Sequence, residues 1–236
     1  ALSDAWVSSD ADVVLDRVNP KLGEAALRCT PAGTSPWFGM RIEPGSAAHV
    51  RLWARMERGG AVEIEVRSRF RAARFWRKVD LAGGDWQEVV VALWMFRSEG
   101  VPRLRECDLL AFRPRGGATL WIDGLTIAPA SGGSHPLLEP ADTLSARAFG
   151  DAARARAESA NFRVFTQSEV STQEVADGLE AFLDLFQQRM GVPAGDLEVP
   201  VTLVIHPTRE EYVEFVASSA RRVYDGVIDP KGITSG

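Results

Sequence analysis

The chain has 236 residues, 45% of them apolar, which is enough for one large domain or two ordinary ones with sizeable cores. Its formal charge is −5 and no apolar run approaches the ~20 residues that a membrane-spanning helix needs, so neither a strongly basic nucleic-acid binder nor a helical membrane protein is expected. Two cysteines, Cys29 and Cys107, make neither a disulfide framework nor a zinc site, which leaves two buried thiols or one disulfide as the alternatives.

Charge and aromatic content are unevenly spread. Residues 1–130 carry 18 Lys+Arg against 16 Asp+Glu, whereas residues 131–236 carry 9 against 16, and all seven tryptophans lie between Trp6 and Trp121. This asymmetry predicts two domains of different kinds: a β-sandwich over residues 1–129, a linker over 130–140, and a partial α/β (α+β) domain over 141–236. The chain opens at Ala1 without a basic-then-apolar leader and stops after "DPKGITSG" with no closing helix or strand. It is therefore expected to be the N-terminal part of a longer protein, either a processed export product or a fragment.

From Trp6 to Ile127 the pattern is one of short strands between turn signals. "HVRLWARME" places Val50, Leu52, Ala54 and Met56 on one face and Arg51, Trp53 and Arg55 on the other. After the hairpin signal "ERGG", "AVEIEVRSR" sets Val62, Ile64 and Val66 against Glu63, Glu65 and Arg67 in the same way. Further strands are predicted in "ARFWRKVDL", "DWQEVVVALW", "CDLLAFRPR" and "ATLWIDGLTI", so eight or nine strands with no helical period between them indicate a two-sheet antiparallel sandwich of jelly-roll type.

"APASGGSHPLLEP", residues 128–140, reads as the linker, with His135 a solvated residue inside it. Ala-rich "ADTLSARAFGDAARARAESA" is then helical in composition, and "NFRVFTQS" reads as a strand. Ser171 and Glu174 have capping-box spacing ahead of a helix whose Val175, Leu179, Phe182 and Phe186 form one apolar stripe, ended by Gly191 and Pro193. "VPVTLVIH" is nearly all apolar, as expected of a strand covered on both faces, and Thr208 with Glu211 repeats the capping-box spacing at the next helix.

Several residues invite a functional reading. Trp53, between Arg51 and Arg55, and Trp76, beside Arg77, sit where an aromatic face flanked by guanidinium forks could stack on a sugar ring and bond its hydroxyls or a carboxylate; tryptophans half-buried under arginine stems are the alternative. "RSRFRAARFWRK" interleaves Arg67, Arg69, Arg71, Arg74, Arg77 and Lys78 with Phe70, Phe75 and Trp76, as single-stranded nucleic-acid binders do. Its domain totals only about +2, so a hairpin with core-facing Phe and Val, whose arginines pair across strands with Glu63 and Glu65, explains it more cheaply. His206 closes a buried strand, where α/β proteins place functional groups. With no second ligand or nucleophile at a matching spacing, it and Pro207 read instead as a strand-to-helix turn.

Two resemblances follow from quoted stretches. "FRVFTQSEVSTQEVADGLEAFLDLFQQRMG", "VPVTLVIHPTREEYVEFVAS" and "YDGVIDPKG" resemble the opening of peptidase MA-like domains, gluzincin-type zinc metallopeptidases of exported bacterial proteins. The resemblance implies zinc only for a complete domain, on an H-E-x-x-H helix that this sequence lacks, so it carries over no catalytic residue and no metal ligand. "LDRVNPKLGEAALRC", "WFGMRI" and "LWIDGLTIAP" resemble the jelly-roll carbohydrate-binding modules and related galactose-binding-like domains. That resemblance implies a glycan or protein ligand, and some such modules hold calcium near the first and last strands, for which Asp123 and Glu24 would be the candidates and a turn-capping Asp123 the alternative. The expectation is thus a non-catalytic front of an exported (periplasmic, cell-surface or secreted) protein, pairing a binding or docking sandwich with the start of a metallopeptidase-like domain. The alternative is a carbohydrate-binding module with an unrelated α/β appendage.

Overall fold

A computed structural model of the chain describes residues 5–70, 72–130, 135–150, 155–191, 194–195, 197 and 199–224, with side chains described to residue 217. Arg71, Pro193 and most of the "YDGVIDPKG" stretch lie outside the described residues. The chain forms two compact units, residues 1–137 and 138–236.

The first unit is a β-sandwich. Its strands in order are Trp6–Ser9 (β1), Ala11–Asp16 (β2), Ala26–Pro31 (β3), Trp37–Arg41 (β4), His49–Met56 (β5), Gly60–Arg67 (β6), Arg74–Leu81 (β7), Gln87–Ala92 (β8), Arg97–Glu99 (β9), Leu109–Arg115 (β10) and Leu120–Ala128 (β11). A six-stranded sheet runs β1-β4-β10-β6-β7-β9 and a five-stranded sheet runs β2-β3-β11-β5-β8. Every pairing between these strands is antiparallel.

Period-two alternation builds the core. Val50, Leu52, Ala54 and Met56 of β5 point inward together with Cys29, Leu120 and Ile122 of the five-stranded sheet, and meet Phe38, Val62, Ile64, Val66, Phe75 and Phe112 of the six-stranded sheet in one cluster. Phe38 and Phe112 lie 5.5 Å apart at its centre. Phe75 faces this core, but Phe70 stands at the β6–β7 hairpin tip, 85% exposed, so only one phenylalanine of that hairpin is core-facing. Gly39 is required where β4 meets β10, because a Cβ there would lie 2.4 Å from the Leu110 carbonyl oxygen. Cys29 and Cys107 are both free and buried, so the disulfide alternative falls away.

The second unit departs from expectation at its start. Ala141–Phe149 (α1) is helical, but Gly150 takes φ +60° and ends the helix, and Ala155–Glu158 (β12) is a strand where Ala-rich composition predicted a continuous helix. Pairing with Phe162–Thr166 (β13) overrides that propensity, giving an antiparallel ladder from Ala155 opposite Thr166 to Glu158 opposite Arg163. Thr172–Met190 (α2) then leads to Val201–Ile205 (β14), which pairs with β13 in parallel, and Arg209–Tyr224 (α3) follows. The expected caps form, with the Glu174 amide donating to Ser171 Oγ and the Glu211 amide to Thr208 Oγ1, both at 3.3 Å.

Phe165 packs with Leu144 and Phe149 of α1 and with Phe215 of α3, while Val164 packs on the opposite face with Val175, Ala176 and Leu179 of α2. Helices thus cover both faces of this small sheet. Only the first half of the α2 stripe is used: Phe182 and Phe186 are 62% and 45% exposed and stack on each other at 6.3 Å. Val201 of β14 is likewise 47% exposed, because β14 is an edge of the three-stranded sheet rather than a covered interior strand. Glu180 of α2 locks the β12–β13 turn, accepting from Ser159 Oγ at 2.6 Å and from the Asn161 amide and side chain, both at 2.8 Å. Those hydrogen bonds hold its carboxyl below the usual range.

Phe112→Ala is expected to destabilise the sandwich by about 3–5 kcal/mol, since it empties a fully buried ring site. Urea unfolding followed by tryptophan fluorescence reads this unit alone, because all seven tryptophans belong to it. A loss below about 1 kcal/mol would mean that the two sheets collapse onto the gap and that this ring pair does not anchor their packing.

Candidate functional site

The five residues singled out for ligand binding do not come together. Arg51, Trp53 and Arg55 point to the outer face of the five-stranded sheet, whereas Trp76 lies on the outer face of the six-stranded sheet. Arg77 pairs with core-facing Ile64, so it takes the other side of β7 from Trp76, and its Nη1 donates to the Met95 carbonyl at 2.9 Å.

On the five-stranded sheet the tryptophans are occupied by the chain itself. Lys21 Nζ lies 4.2 Å from the Trp53 ring centroid, and the backbone amides of Lys21 and Leu22 donate to Asp123 Oδ2 at 2.8 and 2.7 Å. The Gly124 amide donates to Asp123 Oδ1 at 2.7 Å, so Asp123 caps a turn and draws residues 21–22 over Trp53. Three backbone donors already hold its carboxylate, and a calcium ion there would have to compete with them. Arg55 stacks on Trp121 and Trp86, with its Cζ 4.3 and 5.2 Å from the two ring centroids, and Arg51 Nε donates to Glu88 at 2.6 Å. Trp121 Nε1 donates to Asp16 at 2.8 Å, which is the leading cause of that carboxyl's lowered pKa.

The outer face of the six-stranded sheet is built differently. One row crosses it through register pairs: Gly39 opposite Ala111, Ala111 opposite Glu65, Glu65 opposite Trp76, and Trp76 opposite Arg97. Glu65 is on the outward side of its strand, yet its side chain has no exposed surface. Its Oε1 accepts from Arg113 Nε at 2.9 Å and from Arg74 Nη1, and Arg67 Nη1 lies 3.6 Å from its Oε2. Glu63, two residues earlier on the same face, takes a two-pronged contact from Arg115, Nε at 2.8 Å and Nη2 at 2.7 Å.

The arginines also flank the aromatic rings. Arg67 Cζ is 4.3 Å from the Trp37 ring centroid, and Arg74 and Arg97 are each 5.4 Å from that of Trp76. Burial pulls the Arg67 pKa down, with Glu65 opposing and Arg113 and Arg74 adding to the fall. Burial also acts on Arg74, but its hydrogen bond to Glu99 and the charges of Glu65 and Glu63 outweigh it and hold the guanidinium more firmly protonated. Arg113 continues outward, its Nη1 donating to Ser35 Oγ, into a pocket of about 250 Å³ lined by residues 33–36 and 113–117.

Glu63, Glu65 and the arginines of the β6–β7 hairpin were legible as a cross-strand charge pairing. Trp37, Arg113 and Arg115 were not, although their outward positions follow from the alternation of "PWFGM" and "LLAFRPR".

In the second unit His206 is enclosed by aromatic rings, with centroids 5.0 Å from Phe215, 5.3 Å from Phe149 and 6.4 Å from Tyr212. Both ring nitrogens are buried without a hydrogen-bond partner, and burial depresses the pKa, with Glu211 opposing weakly. Zinc does not fit here: among the described residues no group of three His, Cys, Asp or Glu side chains could hold a metal ion.

Glu65→Ala is expected to cost about 3–5 kcal/mol in urea unfolding, because it removes the buried carboxylate to which Arg74 and Arg113 donate and which Arg67 faces. A change under about 1 kcal/mol would show that solvent screens them and that Glu65 does not organise the face. For His206 the folded pKa lies below the unfolded value of about 6.5, so the unfolded state binds the proton first and stability falls as pH drops below that value. The helical far-UV melt of the second unit should therefore shift down between about pH 7 and pH 5, and His206→Phe should flatten that shift; equal profiles for both proteins would sink the assignment.

No family model matches the chain, and no curated protein matches it. Solved structures similar to it include a mutant of a family 29 carbohydrate-binding module, at TM-score 0.40 and 16% identity over 58% of this chain and 91% of that one. The family 11 module of a cellulosomal cellulase of Clostridium thermocellum gives TM-score 0.42 and 13% identity, over 53% of this chain and 88% of that one. The family 30 module of another cellulosomal cellulase of that organism gives 0.41 and 14%, over 54% and 92%. Among the described residues no helix is long and apolar enough to cross a membrane.

Proposed function

We propose that the first unit is a glycan-binding module of jelly-roll type whose ligand lies across the outer face of the six-stranded sheet. The observation that carries this reading is Glu65, a carboxylate without exposed surface on the outward side of a strand, clamped among Arg67, Arg74 and Arg113 beside Trp76. A solvated polar residue at that position would cost the fold nothing, whereas burying an ion pair brings a desolvation penalty that its Coulombic gain barely offsets. What the arrangement supplies is a set of guanidinium donors fixed before any ligand arrives, next to an aromatic ring. A sugar ring stacked on Trp76 would present its hydroxyls to the guanidinium groups of Arg74 and Arg97 that flank the ring. Trp53, Arg51 and Arg55, engaged by Lys21, Glu88, Trp86 and Trp121, serve the opposite face of the sandwich in this reading rather than the ligand.

The second unit is in this reading the non-catalytic opening of a peptidase MA-like domain in an exported protein. The parallel β13–α2–β14 unit and the two capped helices, formed by the stretches that carry the resemblance, support it. Any zinc would belong to an H-E-x-x-H helix outside this sequence. A carbohydrate-binding module with an unrelated α/β appendage would share the same binding face and differ only in the second unit.

Affinity electrophoresis of the full chain through gels holding soluble β-glucan, mannan, xylan, galactan or polygalacturonate tests the binding face. At least one polymer should retard the protein; Trp76→Ala should weaken that binding by roughly tenfold or more, and Trp53→Ala should leave it nearly unchanged. Retardation by none of them, or equal loss in the two variants, would refute the assignment.

A further inference from the structure

The glycan reading leaves the class of sugar open, and the charge on the binding face narrows it. The chain as a whole is acidic, at −5. Yet the outward positions of the six-stranded sheet carry Arg41, Arg67, Arg74, Arg97, Arg113 and Arg115 against Glu63, Glu65 and Glu99, with Lys78 and Asp80 cancelling each other at 3.0 Å. A basic face on an acidic chain steers an anionic ligand to one side of the sandwich. Two of these arginines meet at one pocket. Arg113 and Arg115 line the pocket of about 250 Å³ between residues 33–36 and 113–117, together with the hydroxyl residues Thr34 and Ser35. Arg115 is 48% exposed there even while it holds Glu63 in a two-pronged contact, so the face already shows how it grips a planar carboxylate.

Resting on the glycan reading, we infer that the ligand is an acidic polysaccharide and that a uronate carboxylate lodges in this pocket against Arg113 and Arg115. A neighbouring sugar of the same chain then lies along the row towards Trp76.

The test is calorimetric titration of the full chain with polygalacturonate and with the same polymer after its carboxyl groups have been reduced to alcohols. The acidic form should bind at least about tenfold more tightly, the size of one charge-assisted hydrogen bond. Raising NaCl from ~0.05 to ~0.5 M should remove most of that difference. Arg115→Gln should lower affinity for the acidic form and leave the reduced form nearly unaffected; it replaces a half-exposed side chain, and the salt series on the unaltered protein tests the same point without any substitution. Equal, Trp76-dependent binding of both forms would overturn the uronate inference while the glycan reading stands. Binding of neither form, nor of any neutral polymer, would overturn both. Tighter binding of dextran sulfate or of single-stranded DNA than of polygalacturonate would overturn the inference in favour of a sulfate or a phosphate.

Discussion

Glu65 governs what the outer face of the six-stranded sheet can be. One carboxylate with no exposed surface stands in the middle of a strand, on the side that faces away from the core, and three arginines converge on it from β6, β7 and β10. Because those guanidinium groups answer to one shared partner, their side chains are ordered when the sheet forms rather than when a ligand arrives. The ordering entropy, which runs to about 2 kcal/mol for a free arginine, is then charged to folding and not to binding. Small residues make room for this: Ala111 lies opposite both Gly39 and Glu65, so the floor beside the carboxylate is low enough for the long side chains to lie flat.

The two outer faces of the sandwich use the same residue types to opposite ends. On the five-stranded sheet, Trp53, Trp86 and Trp121 interleave with Lys21 and Arg55, and the Asp123 carboxylate fastens a loop across Trp53, so cations and rings satisfy one another within the chain. On the six-stranded sheet Arg67 and Arg74 also lie against rings, but together with Arg113 they converge on a buried anion, and Arg113 borders a pocket. Tryptophan–arginine composition alone therefore does not mark a binding face; the position of the carboxylate decides whether the arginines are spent on rings or held ready beside them.

The sandwich was legible in the sequence because each strand states its own period. β5 and β6 show inward Val, Leu, Ile and Met alternating with charge, and a two-residue repeat needs no knowledge of neighbours. The face around Glu65 was less legible because it is assembled across strands that are far apart in the chain. Glu65 meets Trp76 through a hairpin, which local reading can foresee, but it meets Arg113 only once β10 is known to lie between β4 and β6. Trp53 and Trp76 read alike as aromatics on a polar side, and only the assignment of β5 and β7 to different sheets separates them. Ala155–Glu158 misled for a related reason: its alanines favour a helix locally, and Gly150 with the ladder to β13 decides otherwise. On α2 the 3.6 period was right, but its width was not, since the sheet beneath reaches only as far as Val175, Ala176 and Leu179.

The two cysteines bear on where such a module can be assembled. Cys29 and Cys107 are sealed inside the sandwich, and burial pushes the Cys29 thiol up to about 12, so almost none of it is thiolate at neutral pH. A thiol held in that state neither attacks a disulfide nor is readily drawn into one. The folded sandwich thus holds no disulfide for reducing surroundings to break, and its packing around Cys29 and Cys107 is that of two small apolar side chains.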